Sequence, residues 1–424
     1  MSAAAPVQAA ERIEALDVLR GFALLGILLM NIVGMGMASG AYFSPLLTTP
    51  PPGVADLVTW HVMEGFVEGA MRGLFSMLFG AGVVLFTTGA RGKSARLHYR
   101  RTFWLLVFGL IDGFVLLWSG DILVNYAVAG ALLYLVRDAK ARSLLIGAGA
   151  LFLVIALQHG AASWGLGMSR AAGAEVAAIE AAGGEATAEQ LELAAAWPDF
   201  VADFGSTPEQ IAAELAQRRG DVGSVYGWYA EEFIGTLLFV LPFVMLWDAL
   251  AMMLVGMALF KLGVLNASRS DGFYWRMLLV GFGVGGAVNA YEGWHAFQND
   301  YALQASFPFL QFTYDIGRFG MALGYLALVM LICRARAWPG LRARLAAVGR
   351  LALTNYLVHS LLAMFIFTGV GLALVGELAR WQLYPIVLAI WALQLWLSPA
   401  WLARYSMGPI EALWRRLTYG APAK

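Results

Sequence analysis

The chain has 424 residues, of which 60% are hydrophobic and only 13% are charged, and its mean hydropathy is +0.69. A soluble fold carries about 25% charged residues because water must wet its surface, so this composition indicates an integral membrane protein. Disordered, collagen-like and secreted disulfide-rich proteins are excluded. Lys+Arg and Asp+Glu number 28 each, and this absence of net charge gives no support for a nucleic-acid surface.

Apolar segments recur along almost the whole chain and predict ten membrane-spanning helices. A span needs about 20 mainly apolar residues, and a helix satisfies its own backbone hydrogen bonds in lipid. We therefore predict an all-α, polytopic membrane bundle. The predicted spans are residues 16–38, 70–89, 102–119, 121–136, 143–163, 232–260, 275–297, 313–333, 348–371 and 383–404.

The distribution of basic residues predicts the orientation of these spans. If both termini are cytoplasmic, 21 of the 28 Lys and Arg fall in cytoplasmic segments and four fall outside, as the positive-inside rule requires. The remaining three, Arg20, Arg72 and Arg318, lie within or at the edge of spans. We expect a multi-pass membrane protein with both termini in the cytoplasm. The N-terminus lacks the features of a cleaved signal peptide, so the first span is expected to be retained.

One segment differs from the rest of the chain in its composition. Residues 164–228 contain ten Asp or Glu against three Arg, which predicts an extracytoplasmic insertion between membrane regions 1–163 and 229–424. Within it, residues 187–196 and 207–219 have the pattern of short helices. A helical cap on the outer face and a solvated insertion without a chemical role both fit this sequence.

Ionisable side chains in the spans indicate where function could reside, because each costs about 2.5–3.5 kcal/mol at the centre of a membrane helix. Asp17 and Arg20 are three residues apart at the start of the first span and share a helical face. They form either a local ion pair or an anion-binding site at Arg20. Asn31 lies deeper on the same helix.

Two carboxylates mark the third and fourth spans. Asp112 lies within the apolar sequence GLIDGFVLLW, so it must pair across helices, face water or stay protonated. Asp121 begins the fourth span, where a carboxylate complements a helix N-terminus, and Asn125 lies one turn further along. We predict that these three side chains line a cavity, with helix capping as the alternative for Asp121.

The end of the seventh span and the start of the eighth carry further polar residues. Asn289, Glu292 and His295 recur every three residues in NAYEGWHAF. A carboxylate and an imidazole one turn apart can act as orienting group and general base, or form a structural hydrogen bond. Asp315 and Arg318 are also one turn apart and predict a structural ion pair or part of a binding site.

Two more groups complete the candidate residues. His61, Glu64, Glu68 and Arg72 form a polar stripe that leads into the second span and is equally typical of an interfacial amphipathic helix.

In the ninth span His359 follows Asn355 by four residues, and it is either a hydrogen-bonded core residue or a base. The five histidines show no metal-binding spacing, so we predict no bound metal. The glycines of GFGVGG at 281–286 are interpreted as packing residues.

Five sequence blocks together resemble the YeiB-like family of bacterial inner-membrane proteins, a family of unknown function. They occur in order between residues 16 and 420, so the resemblance covers nearly the whole chain. The blocks are LDVLRGFALLGILLMNI, LFSMLFGAG, LLWSGDIL, GRLALTNYLVHS and GPIEALWRRLTYG.

The YeiB-like family is similar to a branch of the transmembrane acyltransferase superfamily, which includes heparan-alpha-glucosaminide N-acetyltransferase. This resemblance implies transfer of an acyl group from a cytoplasmic thioester such as acyl-CoA to a hydroxyl or amine of a small-molecule, glycan or lipid acceptor. No permanently bound cofactor is implied. Arg20 and Asn31 match the start of the superfamily's core. Asp112 stands where a histidine is expected in this family, and His359 where glutamine is more common.

Acyl transfer is therefore the first functional hypothesis. His295, His359 and Asp112 are the candidate catalytic residues. The absence of an evident Ser or Cys nucleophile favours direct transfer. The candidate donor- and substrate-binding residues, expected to meet in one tunnel, are Arg20, Asn31, Asp121, Asn125, Glu292, Asp315, Arg318 and Asn355.

A carrier or binding protein for a lipid or small metabolite is the second hypothesis, because a polar cavity among membrane helices serves it equally well. A structural role as a partner subunit is a third possibility.

Overall fold

The computed structural model describes residues 14–88, 94–204 and 207–420, and the side chains of residues 199–204 and 303–312 lie outside this description. No strand occurs in these ranges, which confirms the predicted all-α membrane bundle. The helices are α1 Glu14–Gly36, α2 Val54–Phe66, α3 Ala70–Thr87, α4 Ala95–Phe114, α5 Leu123–Leu133, α6 Ala141–Ala181, α7 Ala188–Phe204, α8 Pro208–Arg219, α9 Val222–Gly235, α10 Leu246–Lys261, α11 Asp271–Gln298, α12 Leu303–Arg334, α13 Pro339–Arg350, α14 Ala352–Phe367, α15 Leu383–Leu402 and α16 Pro409–Tyr419.

Within the described residues, six helical segments are long and apolar enough to cross a membrane. A seventh is added if α13 and α14, which meet at a bend of 80°, count as one span. The count of ten spans and the cytoplasmic position of both termini remain predictions. The six segments are Glu14–Gly36, Val54–Thr87, Ala141–Ala181, Val222–Lys261, Thr313–Arg334 and Arg380–Leu402.

Helix α1 lies at the centre of the bundle and is buried on all faces, as its almost wholly apolar sequence requires. It packs most closely on α13. A Cβ atom at Gly21 would lie 2.0 Å from the Leu345 carbonyl oxygen, and one at Gly349 would lie 2.0 Å from that of Asp17. The two helices therefore touch backbone to backbone, which brings Arg20 and the end of α13 to the same place.

Helices α11 and α12 form an antiparallel pair with an equally close contact. A Cβ atom at Gly281 would lie 2.7 Å from the Gly320 carbonyl oxygen, and one at Gly285 would lie 2.7 Å from that of Gly317. This confirms the packing interpretation for Gly281 and Gly285, whereas a Cβ atom at Gly283 or Gly286 would meet nothing within 4 Å. The close approach also holds the polar ends of the two helices, beyond the glycines, against each other.

A helix crosses the position at which the insertion is predicted to begin. Helix α6 continues without a break for 41 residues, so the predicted boundary between residues 163 and 164 falls inside it. The composition becomes acidic there, but the Ala-rich sequence has no proline or cap to end a helix. The predicted short helices 187–196 and 207–219 correspond to α7 and α8, and Thr207 forms a capping box with Gln210 at the start of α8.

Arg218, at the end of α8, ties the insertion to the end of α1. Its side chain is fully buried and donates hydrogen bonds of 3.0, 3.0 and 2.7 Å to the carbonyl oxygens of Gly34, Met35 and Met37. It also pairs with Glu214 at 2.8 Å. The last carbonyls of a helix lack partners within the helix, and a cation is favourable there. The insertion is thus anchored to the central helix.

Replacing Arg218 by Ala should lower the free energy of unfolding by about 3–5 kcal/mol, because the carbonyl groups and Glu214 lose a buried partner. Arg219→Ala is a matched control. Arg219 donates one hydrogen bond to the Val375 carbonyl oxygen and pairs with the exposed Glu377, so we expect a loss of about 1 kcal/mol. Denaturant unfolding in detergent micelles, followed by helicity, measures both. Equal losses in the two variants would contradict the capping role.

Candidate functional site

A cleft of about 200 Å³ lies between α1, α3, α4, α5, α14 and α16. It is located where α1 and α4 begin and α3 ends, which is the end of the bundle that the sequence predicts to be cytoplasmic. Most of its wall is apolar, and aromatic rings supply much of that surface. They include Phe75, Phe79, Phe86, Tyr126 and Trp414.

Among the described residues, three arginines and one carboxylate line this cleft, so its wall carries an excess of positive charge. The arginines are Arg20 from α1, Arg101 from α4 and Arg350 from the end of α13. Arg20 pairs with Asp17 at 3.3 Å, which confirms the predicted local ion pair. Within the described part of the chain, the wall contains one carboxylate, Glu411. The cleft is therefore suited to an anionic ligand.

Arg101 is held by aromatic rings. Its guanidinium carbon lies 4.8 Å from the centre of the Phe86 ring and 4.4 Å from that of Trp414, which is the geometry of cation–π contacts. The Trp414 indole also donates a hydrogen bond of 2.9 Å to the Arg101 carbonyl oxygen. No carboxylate of the described residues lies at ion-pair distance from Arg101, so its charge stays available to a ligand.

Glu411 connects α16 to the start of α14. Its Oε1 accepts hydrogen bonds from the backbone N–H groups of Leu353 and Thr354 at 2.8 and 3.0 Å, and its Oε2 accepts from the Thr354 hydroxyl at 2.5 Å. These are N–H groups that a helix N-terminus leaves without partners. Glu411 therefore caps α14, and its role is to stabilise the fold.

His98 is the histidine in the cleft wall. Its Nε2 lies 2.8 Å from the Gly130 carbonyl oxygen. Since a carbonyl oxygen only accepts, Nε2 carries the proton and Nδ1 is the unprotonated nitrogen of the neutral ring. Burial lowers the pKa of His98, which precedes the span predicted from residue 102. The ring is therefore neutral near pH 7 and can accept a proton.

Behind the cleft wall, Tyr356 leads to the two predicted aspartates. Its hydroxyl donates to Asp121 Oδ1 at 3.4 Å and accepts from the Ile122 N–H at 3.2 Å. Asp121 Oδ2 accepts from the Val124 N–H at 2.8 Å, so it caps α5. Asp112 is fully buried and interacts electrostatically with Asp121. The two aspartates come together, but neither lines the cleft.

His359 belongs to a separate polar group between α14 and α15. Its Nε2 lies 2.9 Å from Gln394 Oε1, and Gln394 donates to the Asn355 carbonyl oxygen at 3.1 Å. Asn355 donates to the Ser398 hydroxyl at 3.2 Å. This chain of hydrogen bonds agrees with the core interpretation of His359.

At the other end of α3, Arg318 of α12 contacts carboxylates of α11 and α2. Its guanidinium pairs with Glu292 and lies 3.6 Å from Glu64. The ion pair predicted between Asp315 and Arg318 is not formed, because the contact between α11 and α12 presents Glu292 to Arg318 instead. Asp315 and His295 are half-buried, and Asp315 interacts electrostatically with Arg318.

Arg72 forms the second half of this group. It lies 3.4 Å from Asp248 on α10 and donates to the Tyr314 hydroxyl at 2.9 Å. Tyr314 in turn donates to Glu68 Oε1 at 2.6 Å. Sequence reasoning missed Asp248 and Tyr314. Asp248 lies within the predicted span 232–260, so the search for ionisable residues in spans could have found it, whereas Tyr314 reaches Arg72 from a helix far along the chain.

Of the predicted site residues, Arg20 lines the cleft and the others lie elsewhere. Asn31 is half-buried on α1, and Asn125 donates to the Met245 carbonyl oxygen at 3.0 Å, in a π-helical stretch of residues 236–245. The expected single tunnel is not found in the described residues. The cleft residues missed by sequence reasoning lie in basic or amphipathic segments that were used only for orientation and family resemblance. They are His98, Arg101, Arg350, Glu411 and Trp414.

Comparison with known proteins identifies the family. Uncharacterized protein YeiB of Escherichia coli (strain K12) is 30% identical over 424 residues, covering 97% of each chain. Uncharacterized protein YxaH of Bacillus subtilis (strain 168) is 30% identical over 428 residues, covering 99% of this chain and 97% of YxaH. The chain belongs to the YeiB-like family. This confirms the resemblance stated from the five sequence blocks.

Further matches extend this result. The family described as "Protein of unknown function (DUF418)" matches residues 259–421, a range that contains the Tyr356, Glu411 and Trp414 side of the cleft. An uncharacterized 39.9 kDa protein of Bacillus acidopullulyticus is 25% identical over 419 residues, covering 98% of this chain and 96% of the relative. No solved structure matches the chain. These three relatives thus cover nearly the whole chain, and each is described as uncharacterized.

Replacing Glu411 by Ala should destabilise the chain by about 1 kcal/mol or more, because the start of α14 loses its cap. Glu411→Gln is the matched control, since its amide oxygen can still accept from the backbone N–H groups and should restore most of the loss. Thermal unfolding in detergent measures both variants. A glutamine variant as unstable as the alanine variant would show that the negative charge among the arginines, rather than the cap, is what matters.

Proposed function

We propose that the chain is a membrane acyltransferase that takes an acyl group from a cytoplasmic thioester donor and transfers it to a hydroxyl or amine acceptor at or across the membrane. The observation that supports this most is the cleft lined by Arg20, Arg101 and Arg350. Cationic side chains that converge on an aromatic cleft suit a phosphorylated donor such as acyl-CoA. The cleft also lies at the end of the bundle that the distribution of basic residues predicts to be cytoplasmic, where such a donor would be available.

The size of the cleft indicates how a donor would lie. Its volume, about 200 Å³, is below the roughly 300–1,000 Å³ of sites that enclose a drug-sized ligand. In the proposed complex, the narrow acyl-bearing arm enters between the aromatic rings. The phosphates remain at the mouth, where the arginines bind them.

The reaction we propose is direct transfer between donor and acceptor. The acceptor oxygen or nitrogen attacks the thioester carbonyl carbon, a bond to that carbon forms, and the carbon–sulfur bond breaks. His98 accepts the proton of the acceptor, and that proton then passes to the leaving thiolate. His98 takes the place of His295 and His359 as candidate general base, because it lines the cleft and they do not. Positioned general-base help contributes about 10²–10⁴ in rate.

Arg101→Ala should weaken the binding of acetyl-CoA about tenfold or more, because one charge-assisted contact to phosphate is lost. The control is Arg276→Ala, since Arg276 is exposed at the start of α11 and donates to the carbonyl oxygen of Gly272. Calorimetry on the purified protein in detergent measures both. Acetyl-CoA that binds neither the parent chain nor the control would overturn the donor assignment. Saturable binding of an anionic lipid alone would favour the carrier hypothesis.

His98→Gln should reduce acyl transfer about 10²–10⁴-fold while acetyl-CoA affinity stays near that of the parent chain. Because burial lowers the pKa of His98, the parent rate should be steady around neutral pH and fall only at a pH lower than the ordinary histidine value of about 6.5. Release of the free thiol from acetyl-CoA, with hydroxyl and amine acceptors supplied, measures this rate. An unchanged rate in the variant would place the base elsewhere.

A further inference from the structure

A group of charged side chains, three of them buried and three half-buried, lies at the end of α3 away from the cleft. It contains four carboxylates and two arginines contributed by α2, α3, α10, α11, α12 and the turn before α3, and we call it the acid-rich cluster. Its members are Glu64, Glu68, Arg72, Asp248, Glu292 and Arg318.

Each arginine of the cluster is shared by two carboxylates. Arg318 pairs with Glu292 and lies 3.6 Å from Glu64. Arg72 lies 3.4 Å from Asp248 and reaches Glu68 through the Tyr314 hydroxyl. One guanidinium balances one negative charge. Each arginine with its two carboxylates therefore has one excess negative charge when both carboxylates are ionised.

The surrounding groups do not remove this excess. Asp315 on α12 adds another carboxylate, Arg380 faces Glu64, and Asp56 faces Arg380. With these included, six carboxylates face three arginines. His159 on α6 faces Asp248, and the hydroxyls of Tyr42 and Tyr314 bond Glu68. The two tyrosines are donors and carry no positive charge.

One buried carboxylate oxygen of the cluster, Glu292 Oε1, lacks a donor among the described residues, and two guanidinium nitrogens, Arg72 Nε and Arg318 Nε, lack an acceptor there. Asn289, one turn before Glu292 on α11, also has an oxygen without a donor, Oδ1, which packs against Gly317. The Asn289 amide nitrogen donates to the Gly65 carbonyl oxygen at 2.8 Å, which fixes the direction of its oxygen. The Glu292 and Asn289 side chains are both at least nine-tenths buried. The unmade acceptor bond of the Glu292 carboxylate points to a ligand that supplies positive charge to this carboxylate.

We propose that the acid-rich cluster is a proton-binding site in which the two carboxylates that share each arginine hold one proton between them. A bound proton removes the excess negative charge and converts one acceptor oxygen into a donor. A buried carboxylate without a partner is far more costly than a protonated one. Buried ionisable clusters of this kind are where membrane proteins couple their action to protons. The site is independent of the proposed transferase activity.

A proton fits this cluster better than a metal ion. Arg318 and Arg72 lie in direct contact with the carboxylates that a metal would need, and their charges would repel it. No group of three or more metal-ligating side chains suited to an ion is found in the described residues. A proton needs only one oxygen and adds no volume.

Infrared spectroscopy of the purified protein tests the proposal, because a protonated carboxyl group has a C=O absorption that a carboxylate lacks and that shifts in D₂O. At pH 7, Glu64→Gln should remove the absorption of one protonated carboxyl group, and Asp248→Asn that of another. The double variant should remove both. The control is Asp138→Asn, since the Asp138 side chain is 72% exposed and should leave this absorption unchanged.

The shared proton gives a second set of variants if the first does not fold. Glu292→Gln should give the same spectrum as Glu64→Gln, and Glu68→Gln the same as Asp248→Asn, because either partner can be the one replaced. Spectra of folded variants that match the parent chain would show that all four carboxylates are ionised and would overturn the proposal. A rise in thermal stability that requires sodium ions, with no protonated carboxyl absorption, would also overturn it.

Discussion

The interior of this bundle is governed by the requirement that every buried charge meets a counter-charge or a hydrogen-bond partner. An unpartnered ion among apolar helices costs several kcal/mol, which is a large share of the stability of a fold. Helix contacts therefore bring charged residues together from far along the chain. Arg318 reaches Glu64 and Glu292, and Arg218 reaches the last carbonyls of α1. These pairings hold the insertion, α2 and the α11–α12 pair in place.

The buried charges are distributed unequally along α3. Positive charge is in excess at the cleft, around Arg101, and negative charge is in excess at the acid-rich cluster, around Arg72. Arg72 and Phe86 are 14 residues apart on this helix, which corresponds to about 21 Å at a rise of about 1.5 Å per residue. Tyr126 lies between them. It lines the cleft, and its hydroxyl bonds Ser76 at 2.6 Å and the Arg72 carbonyl oxygen at 3.4 Å.

The positions of the apolar helices could be predicted from the sequence because membrane burial acts on local composition. Local pairs were predictable for the same reason, and the Asp17–Arg20 pair and the Asp121 cap are examples. The partners of Arg318 could not be predicted, because this arginine has one carboxylate a turn away on its own helix and others on neighbouring helices. Only the glycine packing of α11 on α12 decides that Glu292, and not Asp315, is the one that Arg318 meets.

The cleft is the part of the site that sequence reasoning could least define, because its walls come from both ends of the chain. Arg20 is on the first described helix and Trp414 on the last, and Arg101 lies between them against Trp414. In sequence, the basic residues of these segments serve to predict orientation, which uses their charge and ignores their geometry. The fold gives the same charges a second use. The packing of α16 on α4 and α14 completes the cleft. The cations that predict which side of a membrane these helix ends occupy therefore also line a space that suits an anion.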